Sequence, residues 1–338
     1  MKAAILEKLN SPLAIKEVFP TPLMPGQVYV KVLASGICGA QLHEIRGHKG
    51  NGKFLPHLMG HEGCGIVKEV GPGVTTVKQG DKVVMHWRPG SGIESEFPKY
   101  HLGDKIISSG KCTTLSEFSI VSENRLTTVP SNTPTVLAAM LGCSLTTALG
   151  IIDNECNLKF GESVAVIGCG GVGLNLIQAA KMKCAEPVYG VDINKDMFEL
   201  SREVGADLFA YDLEYIPHKV DVIIDTTGVP EVISKAFDKL APSGRLILVG
   251  QPAPETTLNI FNPLSMFDGQ GKSIRASQGG GTNPDKDIPR YVKLANVSKL
   301  DFETLHTDTF ALDDINDAFD LLKTGNAGRI MIKMGEDL

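Results

Sequence analysis

Residues 163–173 read Ser163-Val164-Ala165-Val166-Ile167-Gly168-Cys169-Gly170-Gly171-Val172-Gly173, an apolar run that closes on a G-x-G-x-x-G turn. The run up to Ile167 has the composition of a buried strand. Val172, Leu176, Ile177, Ala179 and Ala180 then supply the apolar stripe of a helix. A glycine fingerprint alone is weak, but between a strand and a helix it predicts a dinucleotide-binding turn. Gly168 makes the tight turn, Gly170 and Gly171 let a pyrophosphate approach the backbone, and Gly173 allows close helix–strand packing. The free N–H groups at the helix start face the phosphates.

Outward from this turn, strands and helices alternate. Val188 to Val191 reads as a second strand, Asn194 to Val204 as a helix stopping at Gly205, and Val220–Ile224 and Arg245–Val249 as further buried strands. That alternation predicts an α/β, doubly wound parallel sheet. Asp192 lies 19 residues past Gly173, where an acid binds the adenosine ribose. A carboxylate there repels a 2′-phosphate, and Ile193-Asn194-Lys195-Asp196 brings no arginine, so NAD is expected rather than NADP.

The residues before this region are β-rich, with short apolar runs such as Val28–Leu33 and Asp81–Met85 between Gly and Pro turns, which suits a barrel. Helical periodicity becomes strong from Thr135 to Gly150. Beyond residue 277 the character is mixed, with a helix expected at Leu312–Lys323 and a strand at Arg329–Lys333. Ser277-Gln278-Gly279-Gly280-Gly281-Thr282 reads as a crossing segment. Its glycines could cradle a phosphate, but no helical pattern directly follows, which favours a hinge. The expected division is 1–145, 146–277 and 278–338.

The 338 residues suffice for about two domains at roughly 150 residues each. A net charge of −6 argues against a nucleic-acid or anionic-membrane footprint. The apolar start of the chain is broken by Glu7 and Lys8, so it does not read as a signal peptide, and no run is long enough to span a membrane. Seven scattered cysteines fit a reducing cytoplasm.

Cys38 in Gly36-Ile37-Cys38-Gly39 and His61 in Gly60-His61-Glu62 are the candidate metal residues. Residues 60–74, GHEGCGIVKEVGPGV, fill every fixed position of GHE-x2-G-x5-G-x2-V. In this the chain resembles the zinc-dependent medium-chain alcohol dehydrogenases, and the resemblance runs across nearly its whole length. It implies a GroES-like β-barrel catalytic domain beside a Rossmann domain, and a catalytic zinc on Cys38, His61 and Cys143, the Cys₂His set given for alcohol dehydrogenase in general accounts of zinc sites. Glu62 would replace a ligand transiently or bind directly, as in polyol members. NAD contacts would come from Thr147, Val172, Ile193, Thr226, Val249 and Arg329, the last at the pyrophosphate. His43 matches a proton-relay histidine. Members pair through the edge strand of the coenzyme sheet, here near Lys272–Ala276, implying a homodimer or homotetramer.

The chain also departs from the family. Residues 88–112 hold one cysteine, Cys112, so a four-cysteine structural zinc cannot form and one zinc per chain is expected. Ala40 stands where a Ser or Thr usually passes on the alcohol proton. Gln41 replaces an acid that orients the zinc histidine, although its amide oxygen could still accept a hydrogen bond. Trp87 falls where the family lines its substrate pocket with an aromatic, or else is a packed barrel residue. His86, Arg88, Glu94, Glu96, Lys99 and His101 crowd the same stretch. They favour a polyol, sugar or sugar derivative as substrate, or form a solvated loop. The alternatives are an aldehyde or ketone reductase of the same family and a dinucleotide-binding protein whose catalysis has lapsed.

Overall fold

The computed structural model describes residues 1–50, 52–260, 262–297 and 300–335. The dinucleotide turn belongs to a six-stranded, wholly parallel sheet. Its spatial order is Leu208–Ala210, Val188–Val191, Val164–Ile167, Val220–Asp225, Leu240–Leu248, Ser273–Ala276. Numbered along the chain this is 3-2-1-4-5-6, the doubly wound Rossmann order. The strands Val164–Ile167 and Val188–Val191 are buried along their whole length, as a parallel sheet covered on both faces requires. Register positions the site: Ile167 pairs with both Val191 and Asp225, and Asp225 with Leu248. Gly168, Asp192, Thr226 and Val249 therefore leave the sheet at one carboxyl edge.

The expected helix from Asn194 begins later, at Met197, and runs to Glu203. Its first turn is diverted by side chains: Asp192 accepts from the Asn194 N–H at 2.8 Å, and Asn194 accepts from the Asp196 N–H at 3.1 Å. Such local bonds compete with helix.

Two further sheets carry the β-rich part. One has seven strands along Leu126–Thr128, Lys82–His86, Glu62–Val70, Gln27–Gly36, Arg329–Lys333 and His306–Ala311, with Phe118–Ser122 also paired to Gln27–Gly36. The other orders Ala14–Glu17, Lys2–Leu6, His57–Leu58, Lys105–Ser108, Lys99–Leu102 and Phe19–Pro20. The strand Arg329–Lys333, late in the chain, thus completes a sheet begun by Gln27–Gly36. The hairpin Lys99–Leu102/Lys105–Ser108 lies within the stretch where the family's second zinc lobe would stand.

Two local expectations are corrected. The periodic stretch Thr135–Gly150 is two helices, Thr135–Met140 and Ser144–Gly150. The chain breaks at Gly142, where a β-carbon would lie 2.4 Å from the Met85 carbonyl oxygen. Conversely, a helix does follow the triple glycine: Pro284–Asn296, burying Ile288, Tyr291 and Val292. Its i, i+3, i+4 stripe is short and masked by Pro284, Pro289 and flanking charges. Among the described residues no helix is long and apolar enough to cross a membrane.

Glu123 is fully buried and pins two barrel loops at once. It accepts from the backbone N–H groups of Thr75 at 2.6 Å, Thr76 at 2.8 Å and Ile93 at 2.7 Å. Glu123→Ala removes the shared acceptor of three part-buried backbone N–H groups that water can still reach, and should cost about 1–2 kcal/mol in urea unfolding, with Glu123→Gln costing less because an acceptor survives.

Candidate metal and dinucleotide site

Cys38, His61 and Cys143 converge, with their ligand atoms all within 4.8 Å of one another. Each is placed by a local device. Cys38 caps the helix Gly39–Ile45 in an extended conformation. His61 follows Gly60, whose φ is +102° and whose β-carbon would lie 2.4 Å from Thr114 Oγ1. Cys143 caps the helix Ser144–Gly150, set there by the break at Gly142. The thiols interact: a hydrogen bond from Cys143, assisted by His61, holds the Cys38 thiol well below its ordinary value despite burial. The same bond and burial push Cys143 well above its own. Two thiols and an imidazole are a soft, borderline donor set that fits zinc and disfavours magnesium or calcium.

Glu62 stands outside this trio. Fully buried, it accepts from the Ser144 N–H at 3.1 Å and the Ser144 hydroxyl at 3.2 Å, and it pairs with Arg329. Burial raises its carboxyl, and the Arg329 charge pulls it back. Arg329, also buried, reaches the glycine turn as well: a β-carbon on Gly171 would lie 2.5 Å from its Cδ. The residue therefore touches both the phosphate-side turn and the carboxylate beside His61. Among the described residues its Nε has no hydrogen-bond partner. Ser144 as the anchor of Glu62 was not foreseen. Nothing in its spacing marks it, because the contact spans 82 residues.

The dinucleotide turn has the expected geometry. Gly168 has φ +87°, and a β-carbon on Gly173 would lie 1.8 Å from the Gly168 carbonyl oxygen. Nothing stands within 4 Å of where a β-carbon on Gly170 would be. Thr226 donates its hydroxyl to the Ile167 and Gly168 carbonyls, 2.9 and 3.0 Å away. Asp192 accepts from the Cys169 N–H at 2.7 Å as well as from Asn194. Ile193 is 92% exposed beside it, while Val172 and Val249 are half-buried. Thr147, 8% exposed, lies under the triple glycine, where a β-carbon on Gly280 would be 2.5 Å from its carbonyl oxygen.

Around Ala40, the Gln41 amide oxygen accepts from the Cys38 N–H at 2.7 Å, and its buried Nε2 has no partner. The acceptor expected to serve the zinc histidine is thus already engaged. His43 lies one turn further along this helix, against His48.

Much of the polarity near Trp87 is spent internally. Glu94 pairs with Lys111 at 3.0 Å and Arg125 at 2.9 Å. Arg88 donates to the carbonyls of Thr282, at 2.9 Å, and Gln278, and Trp87 packs against Gly279. His86 is 2% exposed, bonded to the Arg88 carbonyl at 2.7 Å and the Thr127 hydroxyl at 2.9 Å. Burial pushes its pKa down to about 4. An unfolded histidine titrates near 6.5, so this contribution is whole above that pH and is lost as pH falls from 6.5 towards 4, by about 3 kcal/mol in all. Urea unfolding between pH 7.5 and 4.5 should show a flatter acid limb for His86→Gln than for the parent protein.

Comparison with known proteins agrees with this geometry. The family model for the alcohol dehydrogenase GroES-like domain matches residues 24–131, and that for zinc-binding dehydrogenases matches residues 171–296. The chain is 32% identical to alcohol dehydrogenase 6 of Peromyscus maniculatus, covering 98% of this chain and 97% of that protein. Among solved structures, benzyl alcohol dehydrogenase from Acinetobacter calcoaceticus superposes with a TM-score of 0.86 at 25% identity, over 99% of both chains. An alcohol dehydrogenase zinc-binding domain protein from Burkholderia ambifaria gives 0.88 at 24%, over 99% of both.

Proposed function

Because the chain belongs to the zinc-dependent medium-chain alcohol dehydrogenases, we propose that it transfers a hydride between a secondary alcohol, of polyol, sugar or sugar-derivative type, and NAD. The observation that carries this is the convergence of Cys38, His61 and Cys143 beside a dinucleotide turn that Arg329 touches. When bound, zinc supplies a Lewis acid that acidifies the alcohol, and NAD supplies the hydride acceptor.

The rest falls to the chain. Asp192 exchanges its bonds to the Cys169 and Asn194 N–H groups for the ribose hydroxyls, which favours NAD over NADP. Gly170 leaves the pyrophosphate room, and Arg329 supplies the neighbouring positive charge. Thr147, Val172, Ile193, Thr226 and Val249 border the cofactor. Glu62 holds Arg329 and the start of the helix after Cys143, and so orients the metal-binding segments. With no hydroxyl at Ala40, water or a second substrate hydroxyl carries the proton towards His43. A polyhydroxylated substrate brings its own hydroxyl, which is the ground for preferring that class.

All seven cysteines are free, which suits a reducing cytoplasm. The division at residues 145 and 277 follows the change from barrel strands to parallel sheet. A homodimer or tetramer through Ser273–Ala276 is favoured by that strand's place at the sheet edge and by Leu264 and Phe267, 77% and 78% exposed. The trio and the lone Cys112 support one zinc per chain.

Metal analysis of reduced, tag-free protein should give one zinc per chain, and Cys143→Ala should carry almost none. NADH absorbance should rise on adding NAD⁺ with a polyol or sugar, and fall about tenfold or more when NADP⁺ is used. No reduction of NAD⁺ by any alcohol in zinc-loaded, NAD-binding protein would leave the lapsed dinucleotide-binding reading in its place. Rapid turnover confined to aldehydes or ketones would favour the reductase. Ala40→Ser should leave turnover of polyols within about threefold, since the hydroxyl it restores is already supplied; an increase of orders of magnitude would refute the bridging role.

A further inference from the structure

The helix that starts at Cys38 ends in a Schellman motif. The Gly47 N–H donates to the Glu44 carbonyl at 2.9 Å, and the His48 N–H donates to the His43 carbonyl at 2.9 Å. Gly47 takes the left-handed φ of +80° that the motif requires. This closure sets the side chains of residues 43 and 48 against each other, a place where such motifs ordinarily make an apolar contact. Here both are histidines. Their Nδ1 atoms are 3.2 Å apart, and the rings meet edge to face with centroids 5.3 Å apart. Neither is fully buried. A bond between two Nδ1 atoms demands complementary tautomers: one ring protonated at Nδ1, the other bare there.

We propose that His43 and His48 form a two-imidazole proton wire from the active site to solvent, with His48 as the terminal carrier. The inference rests on the dehydrogenase reading above. Ala40 lies three residues before His43, on the same helix face. A proton reaching His43 at Nε2 releases the Nδ1 proton to His48 Nδ1, and the His48 Nε2 proton passes to water. One proton enters and one leaves. Both rings end neutral with exchanged tautomers, and each half-buried ring regains its first tautomer by exchanging its own protons with water, so that nothing returns to the active site. The groups around His43 favour this neutrality. Burial, with the charges of His48, Arg46 and Lys49, lowers its pKa, and only Cys38 opposes them. A relay that stays neutral at working pH passes protons rather than storing one.

His48→Leu is the decisive variant, because it restores the ordinary apolar closure of the motif while deleting the wire. In the zinc-loaded enzyme it should lower kcat for alcohol oxidation about tenfold at pH 7, leave the NAD⁺ KM and the melting temperature unchanged, and recover with rising imidazole buffer. His43→Asn should fall at least as far, and the double variant no further, as members of one path require. Histidine ¹⁵N spectra of the unmutated protein should show one of the pair protonated at Nδ1 and the other bare. An unchanged kcat and pH profile in His48→Leu, a loss that imidazole does not rescue, or two bare Nδ1 atoms would each overturn the wire. Complementary tautomers in a protein that oxidises no alcohol would instead overturn the dehydrogenase reading, and the wire with it.

Discussion

A carboxylate and a guanidinium, both shut away from water, bind distant parts of this chain together. Glu62 follows His61, Arg329 opens a strand near the far end of the sequence, both are buried, and Arg329 also lies against the start of the dinucleotide helix at Gly171. Burying two charges is expensive, and the attraction between them repays it only when the remaining lone pairs are also satisfied. Here Ser144 supplies two more donors. Since Ser144 follows Cys143, the same carboxylate steadies the third residue of the candidate metal site. Loss of either charged partner leaves the other unpaired in a dry interior, which costs more than the pair contributes.

That arrangement explains why the metal trio can be built from loops and caps. Cys38 and Cys143 each stand at a helix start, and His61 sits between a left-handed glycine and a strand. None lies inside a regular element, so their mutual distances depend on the contacts behind them. Gly142, packed on the Met85 carbonyl and on Glu62, is one such contact. The hydrogen bond between the two thiols is another.

The inner strands of the parallel sheet, such as Val164–Ile167, and the barrel strand Arg329–Lys333 were legible because they are buried nearly throughout and read as continuous apolar runs. Val188–Val191 and Arg329–Lys333 fall where pattern alone places them. The glycine turn was legible because Gly168 and Gly173 answer steric demands at fixed spacing. Legibility failed where local rules compete. Proline and charge hid the helix Pro284–Asn296, Asx-type bonds delayed the helix at Met197, and Gly142 divided a helix that looked whole. In the site, ligand types were readable from motif and spacing. Partners were not: that Glu62 would meet Arg329, that the Gln41 oxygen would turn to Cys38, and that His86 and Glu94 would be consumed internally are facts of tertiary contact across tens to hundreds of residues.

The triple glycine at 279–281 has a consequence for how this protein can change over generations. All three residues hold left-handed backbone, and a β-carbon on the first would strike Trp87, while one on the second would strike Thr147. Every single-base change that alters a glycine codon's meaning installs a β-carbon. Even Gly281, where a β-carbon would make only ordinary contacts, meets the backbone penalty. Any replacement at these three positions therefore meets a clash or a backbone penalty, and variants that reshape this corner arise more readily at Trp87 or Arg88.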